Sequence, residues 1–229
     1  LKSYDVDLTA IVTMFDSGGS TGILREEFGY PPLGDIRQCL VALSPEDDGE
    51  VSVLNNALDF RFDSGSSLNG HSVGNLVLAA LTSAYNGIQD AIDELSRMMQ
   101  LRGQVVPVTL DEGHLCARLI DGTTIRTESA IDLRGNNGPG ISEIFLDADV
   151  KANPRALDAL ERADAILLGP GDLYTSVIPN LLVEEISDVI RHTKVPVIYA
   201  CNLMTKLGET AGAFLQVPDG DQMPRPGSR

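Results

Sequence analysis

The chain has 229 residues, 43% of them hydrophobic, enough for one sizeable core. Seventeen Lys and Arg face 33 Asp and Glu, a formal net charge of −16. That surplus repels nucleic acid and anionic membrane surfaces at long range and argues against both as partners, but backbone N–H groups and one or two arginines still hold a small anion locally.

Leu8 to Met14 (LTAIVTM) is an apolar run of strand length without alternation, the pattern of a strand covered on both faces in a parallel α/β sheet. It ends in the glycine-rich loop Asp16 to Gly22, and Pro31-Pro32 closes the next short segment. Asp35 is placed to cap a helix whose apolar face is Ile36, Cys39, Leu40 and Leu43. Residues 45–70 are polar and mixed, and they read as an irregular excursion. Val73 to Tyr85 reads as a buried helix, and Ile88 to Leu101 as an amphipathic one with Ile88, Ile92, Leu95 and Met99 on one stripe. Gln104 to Thr109 and Leu115 to Ile120 read as strands. A hairpin-like region inserted around 104–142 follows from Asp121-Gly122 and from Asn136 to Gly140. Ile144 to Leu146, Ala165 to Leu168 and Val195 to Ala200 are strand candidates, alternating with helices at Pro154 to Ala163 and Leu181 to Arg191. Repeated units of this length imply an α/β fold with a mainly parallel sheet. One domain over 1–212 is expected, followed by a disordered or non-native tail over 213–229.

In an open parallel sheet, ligands sit beyond the carboxyl ends of the strands. Three loops take that position. In the first, Gly18, Gly19 and Gly22 let the backbone approach a ligand, and Ser20 and Thr21 add hydroxyls, so the loop reads as a phosphate cradle or a plain turn. The second, Gly169 to Ser176 (GPGDLYTS), offers backbone N–H groups from Gly169 and Gly171 with Tyr174, Thr175 and Ser176. It lacks the third glycine of a dinucleotide fingerprint, so NAD is not inferred. The third runs from Cys201 to Thr205, with Asn202 able to meet a base or sugar edge or its own backbone. Asp35 and Arg37 form either a phosphate-binding pair at a helix start or a cap and its salt partner. His71 and Asn75 open the buried helix, and His71 is a candidate general base, as is Asp16. His114 and His192 have no companions, so no metal site is proposed.

Cys39, Cys116 and Cys201 are widely spaced among apolar neighbours and read as buried free thiols, which points to a reducing, cytoplasmic setting. No apolar run reaches the ~18 residues that span a membrane. The chain opens on Leu and carries no signal-peptide pattern.

Five ordered blocks carry a family resemblance: Thr9 to Gly22, Pro32 to Leu43 (PLGDIRQCLVAL), Gly70 to Leu81 (GHSVGNLVLAAL), Leu168 to Val183 (LGPGDLYTSVIPNLLV) and Tyr199 to Thr210 (YACNLMTKLGET). Together they resemble the CofD/YvcK-like family, whose fold is a three-layer Rossmann-like sandwich. The blocks look more like the YvcK branch, which is associated with gluconeogenic growth, cell shape and UDP-sugar binding. The other branch transfers a phospholactyl or phosphoenolpyruvyl group from a guanosine diphosphate-linked donor to a deazaflavin, with Mg2+.

The resemblance implies a nucleotide diphosphate or UDP-sugar ligand. Gly18, Gly19, Ser20, Gly169, Gly171 and Thr175 would hold the diphosphate, and Arg37 would neutralise its charge. Asn180 and Asn202 would meet base or sugar; Gly22, Asp35, Asn75, Tyr174 and Thr205 complete the expected site. A homo-oligomer is compatible with this reading. Ser17 stands where the family pattern has a second Asp, and Asp172 where it has Ser. That pattern also has a strand and a glycine-rich loop ahead of the position of Leu1, and it continues past Thr210.

Overall fold

The computed structural model describes residues 1–45, 49–65, 67–135 and 138–203, so the expected 213–229 tail lies outside the described residues. Two parallel strand pairs organise it. Strand β1 (Thr9–Val12) pairs with β2 (Gln104–Pro107) in the register Thr9 to Gln104. Between them run five helices: α1 (Gly19–Phe28), α2 (Gly34–Leu43), α3 (Gly49–Asp59), α4 (Val73–Ala84) and α5 (Ile88–Met98). The consecutive residues Val105 and Val106 are both buried, as a strand covered on both faces requires.

An antiparallel sheet follows, in the order β4 (Thr124–Arg126), β3 (Leu115–Leu119), β5 (Ile141–Leu146). Asp121-Gly122 makes the β3–β4 turn, with Gly122 at φ +88° and Asp121 Oδ1 accepting the Thr123 N–H at 2.9 Å. Short helix α6 (Glu128–Asp132) leaves β4, and α7 (Pro154–Arg162) follows β5. The second parallel pair is β6 (Ile166–Leu168) with β7 (Val197–Tyr199), in the register Ile166 to Val197. A π-helical turn (Leu173–Val177), α8 (Ile178–Leu181) and α9 (Glu184–His192) connect these two strands.

The core joins these layers: Leu33, Ile36 and Leu40 of the α2 region, Leu78 of α4, Ile92, Leu95 and Met99 along α5, and Leu115 of β3 are almost solvent-free. The α5 stripe is therefore buried as its spacing predicts. Strand β7 differs, with Val197, Ile198 and Tyr199 all more than two-fifths exposed.

Several sequence expectations need correction. Residues 45–70 contain helix α3, because Leu54 and Leu58 stand one turn apart and pack on the core despite their polar surroundings. The antiparallel unit spans 115–146, whereas β2 belongs to the parallel pair. Gly22 lies inside α1, whose end at Phe28 is set by Gly29 in the left-handed region. Asp35 does not cap α2: Leu33 holds the cap position, and Asp35 sits in the first turn. All three cysteines are free thiols, but only Cys116 is buried; Cys39 is half-buried and Cys201 exposed. Among the described residues, no helix is long and apolar enough to cross a membrane.

Candidate functional site

The first wall of the site is the turn leaving β1. Asp16 Oδ1 accepts the Gly18 N–H at 2.8 Å, folding the chain back toward α1. Gly19 opens that helix at φ +47°, and no side chain caps its first N–H groups. These donors and the positive end of the helix favour an anion. Helix α2 starts hard against this turn. A Cβ on Gly34 would lie 2.7 Å from Thr21 Oγ1 and 2.9 Å from Asp16 Oδ2, so a residue without a side chain permits the approach.

These elements enclose an open cavity of about 320 Å³. Asp16 and Gly18 to Thr21 form one side; Gly34, Asp35, Arg37 and Gln38 form the next. Arg61, which leads out of α3, and Asn75 of α4 contribute to it. Glu128 and Asp132 of α6 and Asp172, Thr175 and Ser176 after β6 complete it. Two loops, each leaving the carboxyl end of a strand in one of the two parallel pairs, therefore meet in one space.

Behind the wall, Asn75 Nδ2 donates to Ser20 Oγ at 3.3 Å, and Ser20 Oγ stands 3.0 Å from His71 Nδ1. Ser72 caps α4 by accepting the Asn75 N–H, which places Asn75 at the cavity floor. Arg37 pairs with Asp59 at the end of α3 rather than with Asp35. It also lies across Gly74, where a Cβ would stand 2.5 Å from Arg37 Cδ. Opposite, Ser17 binds the start of α6. Its Oγ accepts the Ser129 N–H at 3.0 Å, and its own N–H donates to Glu128 Oε2 at 3.4 Å.

Of the residues expected from sequence, the cavity brings together Asp16, Gly18, Gly19, Ser20, Asp35, Arg37, Asn75 and Thr175. His71 stands one layer back, bonded to Ser20, and Gly22 is buried in α1 against the Ser17 carbonyl. Gly169, Gly171, Tyr174, Asn180 and Asn202 do not line it. Asn180 Nδ2 donates to the Ser176 carbonyl, and Asn202 Nδ2 to that of Gly171. Thr205 lies outside the described residues. Sequence reasoning missed Gln38, Arg61, Glu128 and Asp132. A signal for α6 was present, since Thr127 followed by Glu128 is a helix start, and Thr127 Oγ1 does accept the Ala130 N–H.

The cavity is acidic. Burial and then the nearby Asp16 raise the Asp35 carboxyl to about 6. The same two causes, in the same order, raise Glu128 to about 7. The transferase branch of the resembled family works with Mg2+, which favours six oxygen ligands in near-octahedral geometry. Among the described residues no three acidic, His or Cys groups are placed to hold a metal ion.

Comparison with known proteins gives a consistent result. The sequence matches the 2-phospho-L-lactate transferase CofD family model over residues 1–218. A relative from Nostoc is 45% identical over 212 residues, covering 93% of this chain and 45% of the relative. The gluconeogenesis factor of Halalkalibacterium halodurans is 42% identical over 213 residues, covering 93% of this chain and 64% of that protein. A crystal structure of a UPF0052-family protein from Bacillus halodurans superposes with a TM-score of 0.85 at 42% identity, covering 92% of this chain and 66% of the other. The chain thus spans between under a half and two thirds of the length of these relatives.

Proposed function

This chain belongs to the CofD family, and on that premise we propose that it binds a nucleoside diphosphate ligand, foremost a UDP-sugar, in the cavity between α1, α2 and the loop after β6. Through that ligand it would serve gluconeogenic carbon metabolism and cell-shape control in the cytoplasm. The observation that carries this reading is the meeting of the uncapped α1 start with Arg37, Arg61 and Asn75 in one cavity. N–H groups and guanidinium groups suit phosphate oxygens. Side-chain amides and hydroxyls suit a sugar or base. The same reading takes the two parallel pairs as parts of a layered Rossmann-like sandwich.

Titration calorimetry of the full-length protein with UDP-N-acetylglucosamine and with GDP tests it. UDP-N-acetylglucosamine is expected to bind, and Arg37→Ala to weaken it about 10- to 100-fold, the effect of losing a hydrogen bond to a charged group worth about 1.5–3 kcal/mol. Absence of heat with both ligands would overturn the reading. Binding of GDP alone would move it to guanosine-linked group transfer.

A further inference from the structure

Five carboxylates (Asp16, Asp35, Glu128, Asp132 and Asp172) line the cavity against two arginines, one of which, Arg37, is already paired with Asp59. A diphosphate entering beside these carboxylates meets a field of its own sign to the extent that they are ionised. The cavity lining is nevertheless polar, with Gly18 to Thr21, Gln38, Asn75, Thr175 and Ser176 beside the charged groups. Asn75 is 2% exposed, yet its Oδ1 has no hydrogen-bond partner, and Arg37 is 6% exposed with Nε equally unpartnered. Both atoms lie behind the cavity surface, so the residues that line it are held in a polar frame that is not fully paired.

We propose that Glu128 is a ligand-binding residue that works in its protonated form, donating its carboxylic O–H to a phosphate oxygen of the bound diphosphate. The proposal rests on the nucleotide-binding reading above. The geometry singles out Glu128. Its Oε2 accepts the Ser17 N–H, its one hydrogen bond among the described residues, so its carboxyl has capacity left for a ligand. Two hydrogen bonds between Ser17 and Ser129 fix the helix that carries it. Thr127, held at φ +87°, turns the chain just before it; so unusual a conformation for a β-branched residue commonly marks a functional position.

The charged groups around Glu128 point the same way. Asp16 faces it from the turn after β1, Asp35 from α2 and Asp132 from its own helix, while Arg37, Arg61 and Asp172 stand elsewhere on the cavity wall. Burial and then Asp16 raise the Glu128 carboxyl to about 7, which favours its protonated form well above the ordinary carboxylate range. An incoming phosphate raises its proton affinity further. Proton uptake on binding follows by linkage.

The test is calorimetry of the full-length protein in EDTA, with UDP-N-acetylglucosamine and with pyrophosphate, from pH 5.5 to 8.5 in two buffers of different ionisation enthalpy. The expected result is uptake of up to one proton, with affinity falling toward about tenfold per pH unit above neutrality. Glu128→Gln, whose amide still donates, is expected to bind within about threefold of wild type at pH 6 and to lose most of the pH dependence. Asp35→Asn serves as the comparison and is expected to retain the uptake. For UDP-N-acetylglucosamine, whose diphosphate does not titrate in this range, wild-type affinity that does not vary with pH, or proton uptake that persists in Glu128→Gln, would overturn the proposal and leave the nucleotide reading standing. A strict need for a divalent cation would overturn it as well. Failure of both probes to bind at every pH, in EDTA and again with added Mg2+, removes the nucleotide reading together with the proposal.

Discussion

Ser20 is the polar hinge of the cavity wall, bonded to both His71 Nδ1 and Asn75 Nδ2 while almost free of solvent. Ser20→Ala leaves two buried groups without that partner and should cost about 1–3 kcal/mol in urea denaturation. Glu128 makes a different prediction. Its carboxyl is raised from 4.5 to about 7, so between those values the folded protein binds more protons than the unfolded chain. Its contribution therefore weakens stability as pH rises from about 4.5 through about 7, then levels off. Removing the charge with Glu128→Gln should make the protein more stable than wild type at pH 8, and by less at pH 5. A gain of about 1 kcal/mol is expected once the partial exposure of the side chain is discounted. Urea unfolding of both proteins at the two pH values measures it. Asp35, raised to about 6, adds to the same slope.

At the scale of elements, α5 shows how fully periodicity specifies packing. Ile88, Ile92, Leu95 and Met99 form the predicted stripe, and all four are buried. Leu95→Ala should destabilise the fold by about 2–5 kcal/mol, read from the denaturation midpoint. Helix α3 was less legible because Leu54 and Leu58, which mark its packed face among the described side chains, stand among residues that favour turns. Helix α6 was hidden for a related reason. Five residues cannot display a period, and its neighbours Gly135 and Gly138 speak for a loop. Two acidic cavity residues, Glu128 and Asp132, were lost with it. The turn after β1 was legible because Gly18 and Gly19, followed by Ser20 and Thr21, break a strand and favour a tight change of direction. Asn180 and Asn202 show the opposite case: their amides bond to nearby backbone, the alternative that any loop asparagine offers.

For the whole molecule, strand–helix alternation was readable from composition and spacing, but pairing was not. β1 and β2 are separated by five helices, and only tertiary packing sets Thr9 beside Gln104. The acidic surface and the acidic cavity share one sign, so long-range attraction cannot deliver an anionic ligand to the site, and capture depends on contacts made at close range. The seam between Ser17 and Ser129 has a consequence for biosynthesis. Those partners lie 112 residues apart, and the cavity's last wall comes from Ser176. A ribosome must therefore release most of the chain before the pocket exists, and every nascent chain that stops short of Glu128 carries the glycine-rich turn without the acidic helix that faces it.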